Sequence, residues 1–436
     1  MDRRNYLDIL GGQIRAKRAR PMVVREIESH IEDQKAAFMA EGMTEQEAET
    51  AAIDEMGDPV EAGVALDRVH RPKMEWSVLS GVLMMSFLGL ALQVLVIVTA
   101  KPEFSAGVLF STAYDGVGKH VFAVLAGIVL MLAVCWLDYS LLNKYAVLLW
   151  ALMNAILILH MLAGVMVNGR PRYIIQISWL FVPFYAGILY HFRGQGRKGL
   201  VKGVVCLLIP LGLLTFNYML SGASVIGTVG LLLLHIAVHK GWFGNKKKPL
   251  YLLLWGAVGI LALGAACGHI ISAGQPFLRE YQVERVNALL HPEEYGDYDV
   301  VRLMTAKAGE EVRDGAALLA GNMISEVRNS YLWIYLFKYL GAGKGILLTS
   351  FVIGFFAVLL RAVHRQKNQL GYMVGLGCVL FLIFQTALYI AMNFMVIPMG
   401  SAYMPFLSNG GTYLLITYFY MGILLSVCRN SRLVKN

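Results

Sequence analysis

Side chains able to do chemistry are scarce in this chain, and they lie almost entirely outside its long apolar runs. Between Ser77 and Cys428 those runs follow one another with short joints, and only from Gln275 to Ser330 does the pattern lapse for more than fifty residues. Within that polar stretch, Glu293, Glu294, Asp297 and Asp299 form an acidic run that could hold a divalent cation or simply make a solvated turn. His235 and His239 share one helix face at i, i+4, a spacing that suits two metal ligands, but no third ligand accompanies them. The five cysteines, Cys135, Cys206, Cys267, Cys378 and Cys428, sit in or at the ends of apolar runs without ligand-like spacing, and read as small apolar fillers. No cofactor is indicated beyond that candidate cation.

The elements that must position these groups are membrane spans. The chain is 57% hydrophobic and 15% charged, with a mean hydropathy of +0.58. Soluble domains carry about 25% charged residues, and the apolar runs here have the roughly 18–24-residue length that crosses a hydrocarbon core. We expect an all-α polytopic membrane protein with ten spans at about 77–100, 120–137, 145–167, 174–192, 203–220, 222–239, 250–272, 344–361, 372–392 and 411–428, and Tyr331–Leu340 as an apolar lead-in to the eighth. Ten spans place both termini on one side. The basic clusters Arg193, Arg197, Lys198 and Lys202, then Lys240 and Lys246–Lys248, then Arg361, Arg365 and Lys367, with Arg429, Arg432 and Lys435 in the tail, make that side cytoplasmic by the positive-inside rule. The net charge of +9 is thus a topology signal and an affinity for anionic lipids, not a sign of nucleic acid.

The loop at 273–330 is expected outside, in the bacterial inner membrane's outer space. No Asp, Glu, Lys or Arg lies in mid-span, which disfavours an ion-coupled carrier. Gln93, Asn154, His160, Asn217 and Gln385 are the polar side chains within spans, read as interhelical hydrogen-bond partners.

Residues 1–72 read as a separate cytoplasmic helical domain, and 77–428 as the membrane domain. The first seventy residues are charged and lack an apolar segment, so no cleavable signal peptide is expected. Tyr6, Leu7, Leu10 and Ile14 mark a first helix; Pro21, Val24, Ile27, Ile31 and Phe38 a second; Thr44-Glu45-Gln46-Glu47 is a capping box opening a third; and Asp58-Pro59 opens a fourth that carries Val60, Val64, Leu66 and Val69.

Three segments then resemble one family. Tyr281-Gln282, Arg285 and Leu290-His291-Pro292 look like the YQ…R…L-x-P signature that opens the large loop of the SEDS proteins (FtsW, RodA and SpoVE). Pro398 to Thr412 is similar to the family's PxxGxPLPFxSxGGS stretch before the last helix, which places Pro398, Pro405, Ser408, Gly410 and Gly411 on its motif positions. Asn168 to Tyr173, with Arg170 and Arg172, resembles the family's NGxxRW turn. The prefix resembles the small helical domain found before several bacterial permeases.

That resemblance implies a peptidoglycan glycosyltransferase of cell division, elongation or sporulation. It would polymerise undecaprenyl-linked lipid II beside a class B penicillin-binding protein. Several functional positions depart from the family. The family's catalytic Asp falls on Ser330, its EELG acidic pair on Lys338-Tyr339, and the Glu of its PSE motif on Tyr185; Gly400 stands one place early, with Ser401 in its slot. Serine is no base at neutral pH without an activating partner. Glu326, four residues before Ser330 and one helical turn away, could replace the lost Asp or be a solvated carboxylate. Arg285, Arg170 and Arg172 could grip a diphosphate or anchor to lipid phosphates. The resemblance therefore leaves three readings: a polymerase with a divergent site, a non-catalytic scaffold or sensor for a penicillin-binding protein, and a transporter of lipid-linked precursor.

Overall fold

The computed structural model describes residues 1–15, 19–100, 117–167, 170, 171, 173–217, 219–244, 247–252, 254–256, 280–295, 301, 323–398 and 400–430. They form two compact units: Met1–Glu75 with Gln366–Gln369 and the residues from Val427, and Trp76–Arg365 with Leu370–Ser426.

The first unit holds α1 (Arg3–Gln13), α2 (Arg20–Ala40), α3 (Glu45–Glu55) and α4 (Pro59–His70). Tyr6, Leu7, Leu10 and Ile14 pack with Val23, Ile31, Ala52 and Ile53 into its core. The Tyr6 hydroxyl finds the Met56 carbonyl at 3.2 Å, so its polar end is satisfied. Against the apolar pattern, α4 leaves Val60, Val64 and Val69 exposed and buries Pro59, Gly63 and Asp67. The reason is close approach to α1: a Cβ on Gly63 would stand 2.8 Å from the Leu10 carbonyl oxygen. Asp67 then accepts the Arg15 amide at 2.9 Å.

At the start of α3 the Thr44 amide and hydroxyl both donate to Glu47, at 3.1 and 2.6 Å. These bonds favour the charged carboxylate and hold Glu47 below its ordinary value of 4.5. A depressed carboxylate stabilises the fold above its unfolded pKa, and that contribution disappears as pH falls through the folded value. Protection of the first-turn amides of α3, taken relative to the exchange of an unfolded chain at the same pH, should therefore fall on acidification below the ordinary carboxylate range. In Glu47→Gln the same amides should show no such pH step.

The second unit runs α5 (Trp76–Ala100), α6 (Gly118–Trp136), α7 (Leu141–Lys144), α8 (Ala146–Ala163), the two-residue antiparallel strands β1 (Met166–Val167) and β2 (Arg170–Pro171), α9 (Ile174–Trp179), α10 (Phe181–His191), α11 (Gly196–Phe216), α12 (Leu220–His239), α13 (Glu280–Leu290), α14 (Met323–Asn329), α15 (Leu332–Leu340), α16 (Ala342–His364), α17 (Gln369–Asn393) and α18 (Gly411–Arg429). Among the described residues nine helical segments are long and apolar enough to cross a membrane, with α9 and α10 counted as one. The expected span at 250–272 is helical where described, at 250–252 and 254–256, and otherwise lies outside the described residues. Apolar side chains such as Phe122, Leu125 and Val129 of α6 are exposed, as a lipid-facing surface requires. Tyr331–Leu340 is not a simple lead-in: α15 is its own helix, turned off from α16 at Gly341 (φ 86°), and it buries Leu332, Trp333, Tyr335 and Leu336.

Two prolines break the backbone ladder inside spans, and in both places a neighbouring helix repairs it. Pro183 cannot donate to the Trp179 carbonyl, where α9 ends and α10 begins; the Tyr420 hydroxyl of α18 donates to it instead. Pro210 likewise frees the Cys206 carbonyl in α11, which accepts the Trp150 indole N–H of α8 at 2.9 Å. A span without water must satisfy such groups internally, so these side chains fix where the helices meet.

Candidate functional site

The site is built on the turn between α14 and α15. α17 holds that turn from behind with two buried side chains. Asn393 accepts the Ile334 amide at 3.1 Å through Oδ1 and donates through Nδ2 to the Ser330 carbonyl at 2.9 Å. The Tyr389 hydroxyl accepts the Leu332 amide at 3.0 Å and donates to the Asn329 carbonyl at 3.2 Å. Between two helices the backbone has no ladder partners, and these four bonds supply them.

The turn faces a polar cavity of about 260 Å³. Glu326, Asn329, Ser330 and Tyr331 form one wall; Gly400, Ser401 and Ala402 form another; Arg285 of α13 and Tyr413 of α18 close it. The i, i+4 spacing on α14 brings the Ser330 hydroxyl to within donating distance of Glu326, 3.3 Å from Oε2. The serine therefore has a carboxylate beside it, and that carboxylate lines the cavity. Beside it lies a second cavity of about 330 Å³ with mainly apolar walls, among them Ile175, Trp179, Val225, Leu388 and Ile397. Arg285, Met392, Gly400, Ser401 and Ala402 line both cavities.

The loop that forms the shared wall owes its shape to buried packing. The Ser408 hydroxyl accepts the Met404 amide at 2.9 Å, Phe406 is held at a φ of 65°, and Tyr403 stacks on Tyr413 with centroids 4.8 Å apart. Burial pushes the Tyr403 phenol above its ordinary range, so it stays neutral.

The expected site residues separate into groups. Tyr281, Gln282, Arg285 and Pro398 line the apolar cavity; Glu326, Ser330 and again Arg285 line the polar one. Pro405 and Ser408 are buried in the loop and line neither cavity, so their part is to shape it. Gly410 and Gly411 lead into α18 and also line neither. Arg172 and the side chain of Arg170 lie outside the described residues, as do Asp297 and Asp299 of the acidic run. His235 stacks on Tyr251 at 4.8 Å, and among the described residues no three His, Cys, Asp or Glu side chains gather as metal ligands.

Nothing in the sequence singles out Asn329. It lines the polar cavity, and its Oδ1 is buried with no hydrogen-bond partner among the described residues. A lone Asn in a polar loop carries no signal until the turn places it.

The family profile described as cell cycle protein, for FtsW, RodA and SpoVE, matches residues 80–433. Relatives bearing the name probable peptidoglycan glycosyltransferase FtsW include one of Trichlorobacter lovleyi, 22% identical over 78% of this chain and 94% of its own, and one of Pseudoalteromonas translucida, 26% identical over 76% and 85%. An FtsW relative of Mesostigma viride is 24% identical over 61% of this chain, which spans 63% of that relative's length. Among solved structures, a chain of a peptidoglycan synthase complex that coordinates polymerization and crosslinking superposes with a TM-score of 0.62 at 17% identity, covering 82% of this chain and 98% of its own. The rod shape determining protein RodA of Thermus thermophilus gives 0.52 at 14%, covering 82% and 97%. These structural likenesses bear on the fold.

Proposed function

Because the chain belongs to the FtsW, RodA and SpoVE family of cell cycle proteins, with the match spanning residues 80–433, we propose that it polymerises lipid II into peptidoglycan glycan strands. The observation that carries this reading is the shared wall: Arg285 lines a polar cavity holding a carboxylate and also an apolar cavity. A prenyl diphosphate sugar needs that sequence of surroundings. Its isoprenoid end suits the apolar chamber, its diphosphate a guanidinium, and its sugar the polar chamber beside Glu326. In the reaction, the acceptor sugar hydroxyl attacks the anomeric carbon and Glu326 takes its proton. The bond from that carbon to the diphosphate oxygen breaks, and the diphosphate leaves with the electron pair beside Arg285.

In this reading the termini and the basic clusters are cytoplasmic and the cavities open to the outer side, where a class B penicillin-binding protein would join the complex. Residues 1–72 are a cytoplasmic accessory domain. The Ser at 330, where the family carries Asp, favours a second reading in which the chain only scaffolds such a partner.

Reconstitution with lipid II, with and without a candidate partner, separates the two. Glycan polymer is expected from the first reading, and stable partner binding without polymer under any condition would leave the second.

A further inference from the structure

We propose that Gln93 is a positioning residue, setting the distance between the Glu326 wall of the polar cavity and the Ser401 wall; the proposal rests on the polymerase reading. Gln93 is fully buried on α5 and lines neither cavity. Its Oε1 accepts the Arg328 Nε–H at 2.8 Å, and its Nε2 donates to the Arg328 carbonyl at 3.1 Å and the Leu407 carbonyl at 2.7 Å. Arg328 is itself fully buried. One amide thus binds α14, two residues beyond Glu326, to the loop that carries Gly400–Ala402. The Asn409 amide joins the same point, donating to the Arg328 carbonyl at 2.9 Å.

The side chain required here is an amide of this length. Glutamate keeps the acceptor but has no donor for the two carbonyls, and lysine offers no acceptor. Asparagine is shorter by one methylene and cannot reach both partners from the same backbone. α5 is also fixed above and below this point, by a Ser86–Tyr418 hydroxyl pair at 2.6 Å and a Thr99–Tyr335 pair at 2.7 Å. The helix is therefore a rigid base, and Gln93 is where it holds both walls at once.

Gln93→Glu isolates the role. A carboxylate can still pair with the buried guanidinium, so the fold should persist, while both carbonyl bonds are lost. Displacing reacting groups by about 1 Å can cost on the order of 10²-fold in rate, so kcat for polymer synthesis should fall about 10–100-fold with KM for lipid II changed less than about threefold. Hydrogen exchange reads the clamp without activity: the Asn409 and Ser330 amides should exchange faster in the variant, with the protection of α17 unchanged. A second variant, Gln93→Leu with Arg328→Met, removes the buried amide and guanidinium together, so no unpaired charge is left behind, while the Leu407 carbonyl loses its amide donor. Its melting temperature should fall less than that of Gln93→Leu alone, while kcat stays low.

Wild-type kcat in Gln93→Glu, unchanged protection at Asn409, or kcat that recovers with stability in the double variant would each overturn the positioning role. An unaltered chain that makes no polymer, with exchange nevertheless raised in Gln93→Glu, would fault the polymerase reading and leave the clamp standing.

Discussion

Glu326→Gln is expected to lower glycan polymerisation by about 10²–10⁴-fold, the usual worth of a general base. Glutamine keeps the shape of the side chain and its Oε1 can still accept from Ser330, so the helix turn should survive. What it cannot do is take the proton of the attacking hydroxyl. No other residue described as lining the polar cavity is a carboxylate: its remaining polar side chains are Arg285, Asn329, Ser330, Tyr331, Ser401 and Tyr413. Ser330 cannot substitute, because a hydroxyl is a base only after it has lost its own proton, and the group to which it donates is Glu326 itself. Glu326→Asp should retain more activity than Gln, since the proton acceptor is present but withdrawn by one methylene. Rates are measured on purified chain with lipid II as the glycan product accumulates. Equal rates for Gln and the unaltered residue would take the base away from α14 altogether.

The membrane architecture was legible because span length and apolarity are set by the solvent, and nine of the ten expected runs appear as helices among the described residues. Pro183 and Pro210 could be read as ladder breaks, but not that Tyr420 and Trp150 would fill the vacated carbonyls, since those partners lie on other helices. The site was half legible. Glu326 and Ser330 are four residues apart, and helical spacing alone put them on one face. Arg285 and Ser401 lie more than a hundred residues apart and meet only through the fold.

The expectation of interhelical hydrogen bonds holds for Gln93 and for Asn217, whose Nδ2 reaches the Met161 sulfur as well as the Leu213 carbonyl, whereas Asn154 donates within its own helix, to the Trp150 carbonyl. Arg328 gave no signal: an Arg in a polar stretch reads as solvated, and only a turn clamped from α5 and α17 explains its burial. The valines of α4 misled for the opposite reason, because close packing with α1 needed Gly63 rather than an apolar side chain.

Gly89→Val should severely damage the fold of the membrane unit. A Cβ at Gly89 would lie 2.2 Å from the Phe406 carbonyl oxygen, a distance no carbon atom tolerates, and 3.1 Å from its carbon. The loop cannot swing that carbonyl aside. Phe406 is held at a positive φ, which a residue with a side chain adopts only when its surroundings impose it. Those surroundings are tight: its fully buried ring meets Phe355 and Tyr418 edge-on, at 5.7 and 5.5 Å. α5 must therefore retreat, and with it goes Gln93, one turn further along the same helix. Even Gly89→Ala should cost about 1–3 kcal/mol as overpacking against backbone, and Val more, with a lower melting temperature in detergent and loss of polymer synthesis together. Gly354→Ala is the control, since a Cβ there meets nothing within 4 Å, and mid-helix alanine is favoured over glycine by roughly 0.5–1 kcal/mol. If Gly89→Ala melts like the unaltered chain, α5 does not press on the loop, and the fixed separation of the two cavity walls loses its mechanical basis.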